Sequence, residues 1–157
     1  MDSPDSVHLT PINVPVFSRL ITLHLVDIYL GAETYNRIRL FYYPGASVVI
    51  ICFALDDPIS LRNVEELWVP EVKAGTEDPT PPIMLVGCKA DIRRDPKKPG
   101  SMEESEIMGY ISADQGREMA RRVGASIYLE CSAKTGEGVE EVFHHAARLS
   151  LRAGSPF

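Results

Sequence analysis

No stretch of this chain is apolar over the roughly eighteen residues that a membrane-spanning helix needs. The opening MDSPDSVHLT is acidic where a secretory leader is basic, so neither a span nor a signal peptide is expected. Cysteine is scarce: Cys52, Cys88 and Cys131 are an odd number, far apart, with no CxxC pair and no neighbouring His. That excludes a disulfide framework and gives no zinc motif, and it fits reduced thiols in a cytoplasmic chain. Positive charge is also in deficit, 16 Lys+Arg against 22 Asp+Glu for a net charge of −6, which argues against non-specific binding of nucleic acid through its phosphates. Internal repeats and low-complexity tracts are absent. What is present, 157 residues that are 45% hydrophobic and 24% charged, is enough for one domain with its own core.

Proline falls in groups: Pro4, Pro11 and Pro15; Pro79, Pro81 and Pro82; Pro96 and Pro99. None suits a helix interior, and each reads as a connection. Residues 1–19 are accordingly expected to be an irregular N-terminal segment, with Pro11 and Pro15 arguing against a central strand. Ile21-Thr-Leu-His-Leu-Val26 alternates and predicts a strand. Tyr35 to Phe41 reads as a short helix. The continuous apolar run Ser47-Val-Val-Ile-Ile-Cys-Phe53 predicts a strand buried on both faces. Asp56-Asp-Pro58 supplies a turn, and Ser60 an N-cap for a helix to Lys73. Ile83–Val86 and Ser126–Leu129 predict two more buried strands. Ser112 caps a helix over Ala113–Val123 that stops before Gly124, and Val139–Leu151 carries apolar residues at helical spacing. Residues 92–110 form a charged surface insert with a short helix from Ser101, and residues 152–157 a tail. Strands alternating with helices predict an α/β fold with a mostly parallel sheet flanked by helices.

In such sheets ligands bind outside the carboxyl ends of the strands. Two polar loops lie there: Gly87-Cys88-Lys89-Ala-Asp91, and Glu130-Cys-Ser132-Ala133-Lys134-Thr-Gly136. A guanine ring presents N1–H and an exocyclic amine side by side, and a carboxylate such as Asp91 accepts both; adenine lacks that pair of donors. The stems of Lys89 and Lys134 can cover the faces of a base, the Ala133 N–H can meet guanine O6, and Ser132 can brace one loop against the other.

These two loops resemble the guanine-specificity loops of Ras-superfamily small GTPases. Further stretches are similar to the Rho subfamily in order and spacing: Glu33-Thr-Tyr35-Asn-Arg37-Ile-Arg39-Leu-Phe-Tyr42-Tyr-Pro44, Cys52-Phe-Ala-Leu55, Trp68-Val-Pro70-Glu-Val72 and Tyr128-Leu-Glu-Cys-Ser132. The charged insert, about residues 93–110, falls where Rho proteins carry an extra helix. The resemblance covers residues 20–151 as a Rho-like small GTPase domain. It implies a P-loop NTPase-like small GTPase fold that binds and hydrolyses GTP in signal transduction. It also implies a guanine-binding set of Cys88, Lys89, Asp91, Ser132, Ala133 and Lys134, and a switch II partner surface that includes Tyr35, Arg37, Arg39 and Tyr42. Rho regulators or effectors are the protein partners implied, through switch II and the insert.

The family's phosphate-binding G-x-x-x-x-G-K-[ST] loop has no counterpart in this sequence, nor have its first strand and first helix. The stretch Asp27-Ile-Tyr-Leu-Gly31-Ala32-Glu33 resembles a degenerate switch II, with Ala32 where the family has a water-orienting glutamine. The expectation is therefore a truncated or degenerate Rho protein with weak GTP or GDP binding through the base site. No Mg²⁺ support and no catalytic residues are expected. No prenylated C-terminal cysteine is found either, so a membrane anchor is not expected and the location is read as cytoplasmic. Two alternatives to an active GTPase stay open: a nucleotide-independent pseudo-GTPase interaction module, and a non-functional fragment. Trp68 reads as core rather than contact surface, and His144-His145 as a partly exposed pair rather than a metal site.

Overall fold

The computed structural model describes residues 8–27, 39–77, 79–94 and 109–152. Three apolar segments build a parallel sheet in the order β3 (Val49–Ala54), β4 (Ile83–Cys88), β5 (Ile127–Glu130). Val49 pairs with Ile83 and Met84 with Ile127, so the three strands end together along one edge. The central strand β4 is buried from Ile83 to Gly87, as a strand covered on both faces must be. Burying side chains such as Met84 and Leu85 stabilises the fold by about 1.5–3 kcal/mol each.

The apolar run around β3 does not meet its expectation of burial on both faces. Ile51 and Phe53 are buried, but Cys52, on the opposite face, is exposed. The reason is position: β3 lies at the edge of its sheet, and among the described residues no strand pairs on its far side.

The N-terminal segment is a strand where irregular backbone was expected from its prolines. β1 (His8–Val16) pairs antiparallel with β2 (Arg19–Asp27) in a separate two-stranded ribbon. Phe17 and Ser18 make the turn, with Phe17 at a φ of 53°. In a two-residue hairpin the closing pair, here Val16 and Arg19, is hydrogen-bonded, and the pairs then alternate. Counting outward places Pro15 opposite Leu20 and Pro11 opposite His24, at non-hydrogen-bonded positions. Proline therefore removes no donor from the ladder. Val14 and Val16 turn inward and pack with Ala147, Ile21 and Phe143.

Helices cover the parallel sheet on both faces. On one face a long helical segment begins with α1 (Pro58–Asn63), passes through a π-helical turn over Val64–Trp68, and continues as α2 (Val69–Gly75). It starts earlier than a Ser60 cap predicts. Asp57 is the N-cap, accepting from the N–H groups of Ile59 and Ser60, with Pro58 in the first turn. The Ser60 hydroxyl instead accepts from Ala54 N–H at 3.0 Å and donates to Asp57 O at 2.7 Å, tying the helix to the end of β3. The π turn has a local cause in Pro70, whose ring would clash with the carbonyl four residues back in a regular helix. The ladder widens so that Val69 N–H bonds to Val64 O.

Beside it lies α3 (Ala113–Val123), capped as expected: Ser112 and Gln115 form a reciprocal capping box, and Gly124 closes the helix at a φ of 74°. Met119, Ala120 and Val123 join Ile51, Phe53, Leu55, Val64, Val72 and Leu85 in the main core. Tyr128 stacks on Phe53 with ring centres 6.2 Å apart. The other face is covered by α4 (Val139–Arg152), whose Val142 and Ala146 pack on Met84 and Val86. The same helix supports the ribbon, with Leu23 of β2 reaching both apolar clusters.

A polar knot holds the segment before β3 against α2. Arg39 grips Glu71 with two bonds of 2.8 Å, the Tyr43 hydroxyl donates to the same carboxylate at 2.7 Å, and the guanidinium lies over the Trp68 ring at 5.0 Å. Both charged side chains are well shielded, at 11% and 15% exposed. Arg39 holds Glu71 below the usual carboxylate range, with Tyr43 assisting and burial opposing. Glu71→Ala is expected to lower stability by about 2–3 kcal/mol in urea unfolding at neutral pH, because it strands a shielded guanidinium. A folded pKa below the unfolded one means that this contribution is complete above the unfolded value, about 4.3, and is lost as pH falls through the folded value. The gap between parent and variant is therefore expected to close only in acid, checked by repeating the urea series downward in pH.

Candidate functional site

The end of each parallel strand runs into a polar loop, and backbone bonds join the three. Leu55 N–H donates to Cys88 O at 3.0 Å, Cys131 N–H to Gly87 O at 2.9 Å, and Ala90 N–H to Cys131 O at 3.0 Å. The ladder thus continues one step past the strands and holds the two candidate base loops side by side. After β4 the chain turns at Lys89, whose φ of 65° is unusual for a side chain larger than glycine, and enters a 3₁₀ turn over Ala90–Arg94. Sharp turns of this kind bring Asp91 back over the next loop.

There Asp91 meets Ser132. The Ser132 hydroxyl, fully buried, donates to Asp91 Oδ1 at 2.6 Å and accepts from Thr135 N–H at 3.2 Å. Lys134 Nζ lies 3.7 Å from Asp91 Oδ2. The Ser132 hydroxyl is the main cause that holds Asp91 below the ordinary carboxylate range, with Lys134 contributing. An ionised carboxylate accepts through both oxygens, each with two lone pairs, so these bonds leave capacity for a pair of donors from a ligand. The second loop is itself closed tightly by Ser132 N–H to Glu137 O and Gly136 N–H to Ser132 O, both 2.8 Å.

The residues singled out in the sequence separate into three groups. Cys88, Lys89, Asp91, Ser132, Ala133 and Lys134 are brought together at one sheet edge, Ala133 and Lys134 exposed and Cys88 half-buried. Asp27 is the exposed last residue of β2, whereas Gly31, Ala32, Glu33, Tyr35 and Arg37 lie outside the described residues. Of the proposed contact surface, Tyr42 is exposed beside Phe41, but Arg39 is not available: its guanidinium is committed to Glu71 and Trp68, and its placement in a partner surface is corrected. Trp68 packs on the main core, as a core tryptophan should. Most of the insert also lies outside the described residues. Among the described residues, no group of three or more His, Cys, Asp or Glu suited to a metal forms.

Two supporting residues escaped the sequence reading. Asp56 binds Lys89 Nζ with both oxygens at 3.0 Å, which fixes the lysine stem across the loop. Glu130, at the end of β5, takes Arg93 at 2.6 Å and the Tyr128 hydroxyl at 2.6 Å, and Arg93 also donates to Ile111 O. Partners 33 and 37 residues apart leave no local pattern in a sequence.

Comparison with known proteins fits the geometry. The Ras family model matches residues 7–152. The chain is 45% identical over 140 residues to the GTP-binding protein RHO1 of Candida albicans, covering 89% of this chain and 69% of that protein. This chain belongs to the Ras family, as a Rho-subfamily small GTPase. Other relatives agree: the Rho chain is 42% identical to the GTP-binding protein rho1 of Schizosaccharomyces pombe over 144 residues, 92% of this chain and 69% of that one. It is 43% identical to the GTP-binding protein RHO1 of Saccharomyces cerevisiae over 143 residues, 91% and 66%. The α/β architecture, a three-stranded parallel sheet flanked by helices, is that of a small GTPase. The Ras family match takes in β1, so the proline-bearing ribbon is part of the family domain rather than an appendage.

Proposed function

We propose that this Rho-subfamily chain binds guanine nucleotide through the base, with Asp91 accepting N1–H and the exocyclic amine and Ser132 holding that carboxylate in place. Lys89 and Lys134 flank the base, and the Ala133 N–H faces O6. The observation that carries the reading is the Ser132–Asp91 bond, which locks an ionised acceptor between the two loops. Ala32 stands at the switch II glutamine position, and without that water-orienting side chain hydrolysis is impaired. Base contacts alone give dissociation constants of about micromolar to millimolar. Signalling then runs through contacts with Rho regulators or effectors in the cytoplasm, with Tyr42 and Phe41 on the exposed side of the segment before β3.

The test is titration of the folded chain with a fluorescent GDP analogue against the matching ADP analogue. Saturable binding of the guanine probe alone supports the reading. Equal binding of both, or of neither by a cooperatively folded chain, overturns it. Capture of a Rho regulator with no dependence on added nucleotide would favour the interaction module.

A further inference from the structure

The net charge of −6 is unevenly distributed along the chain. Neither residues 9–26 nor residues 142–152 include an Asp or Glu, whereas Arg19, Arg148 and Arg152 lie within them. The fold brings these two stretches together. Ala147 of α4 packs on Val14 and Val16 beside the β1–β2 turn, and the Arg148 guanidinium lies over the Phe17 ring at 5.5 Å. Arg19 pairs with the inward-facing Val16, so it lies on the side of the ribbon that faces α4. Arg148, Leu151 and Arg152 are exposed and three or four residues apart, which puts them on one face of the helix. Arg39, Arg62, Arg93, Arg117, Arg121 and Arg122 each pair with a carboxylate. Among the described residues, none pairs with Arg19, Arg148 or Arg152.

The turn beside these cations is apolar and stands in water. Phe17 is 87% exposed and Leu20 66%, with Pro15 exposed opposite Leu20. Phe17 also holds a φ of 53°, a conformation that favours Gly or Asn over a bulky side chain, and its exposure returns little burial for that strain. We propose that the β1–β2 turn and the last turns of α4 form a docking surface for an anionic lipid bilayer. Phe17 and Leu20 enter the boundary between headgroups and acyl chains, and Arg19, Arg148 and Arg152 meet acidic headgroups. A projecting apolar tip beside unpaired cations favours this occupant. A bilayer yields to such a tip without a preformed pocket, whereas a nucleic acid offers phosphates but no apolar phase for Leu20 and Pro15. With two inserted side chains and three cations the attachment is reversible. The base loops precede α4 and the docking surface lies at its far end, about 20 Å away at 1.5 Å per residue, so the proposal does not rest on the base-site reading.

The experiment sediments the full chain with vesicles of equal parts phosphatidylcholine and phosphatidylserine, and with phosphatidylcholine alone. Partition onto the anionic vesicles is expected, weakening as salt is added, with little onto the neutral ones. Replacing both Arg148→Gln and Arg152→Gln is expected to lower the partition about 25-fold, from about fivefold per cation near an anionic surface. Phe17→Asn is expected to lower it at least about tenfold without lowering the urea midpoint, because Asn accepts the positive φ. Phe17→Trp is expected to keep binding, with emission that shifts to the blue and is quenched by lipids brominated in their acyl chains. Equal binding to both vesicles, binding to neither by a folded chain, full binding by Phe17→Asn, or an unshifted Phe17→Trp spectrum on bound protein would each overturn the proposal. So would binding to a DNA duplex as tight as to the anionic vesicles and indifferent to Phe17→Asn, which would assign the cations to a polyanion instead.

Discussion

Asp91→Ala is expected to remove saturable binding of the guanine probe, weakening it at least about tenfold, while lowering stability in urea by only about 1 kcal/mol as the buried Ser132 hydroxyl loses its acceptor. The asymmetry follows from geometry. The Asp91 carboxylate is the acceptor on which the proposed specificity rests, yet the loop is held by backbone bonds from Ala90 to Cys131 and from Cys131 to Gly87 that the substitution does not touch. Ser132→Ala is expected to fall between, since it frees the carboxylate from its brace without removing it and also takes the acceptor from Thr135 N–H. Paired fluorescence titrations and unfolding curves separate the two effects. Equal affinity in parent and Asp91→Ala would show that the carboxylate does not read the base.

The second large effect is expected at Gly138. Its φ of 73° suits glycine, and a Cβ built there would run into the Glu130 carbonyl oxygen and sit 3.1 Å from Cys131 Cα. Both obstacles are backbone, so no side chain can swing aside. Gly138→Ala is expected to cost about 2–4 kcal/mol from left-handed strain and displaced backbone together. The displaced backbone is the end of β5, where Glu130 receives Arg93 and Tyr128 and where Ser132 begins its hold on Asp91. Guanine binding should therefore weaken along with stability. Thermal melts alongside probe titration check this, and an unchanged melting temperature would mean that the loop accommodates a methyl group freely.

The elements whose cause is local were legible in the sequence. The apolar runs marked β4 and β5, the Ser112 cap and Gly124 marked both ends of α3, and helical spacing marked α4. Loops after successive parallel strands also led to the candidate base site, because topology fixes which ends of the strands gather. What escaped depends on parity or on distant partners. Pro11 and Pro15 looked like breaks because their alternation against β2 is set by a turn at Phe17 and Ser18, which carries no glycine. Ser60 looked like a cap because Asp57 and Pro58 were assigned to a turn, although together they start the helix. Arg39 looked like contact surface because its partner Glu71 lies 32 residues away.

The proline spacing in β1 has one more effect. In a hairpin, residues at non-hydrogen-bonded positions point their N–H groups away from the partner strand, toward whatever approaches from outside. On β1 those positions are Leu9, Pro11, Asn13 and Pro15, so every second donor is missing on the edge that no strand among the described residues covers. A strand arriving from another molecule would find only half the donors it needs, and two pyrrolidine rings in its way. The residues that seemed to forbid a strand instead make this ribbon a poor template for aggregation.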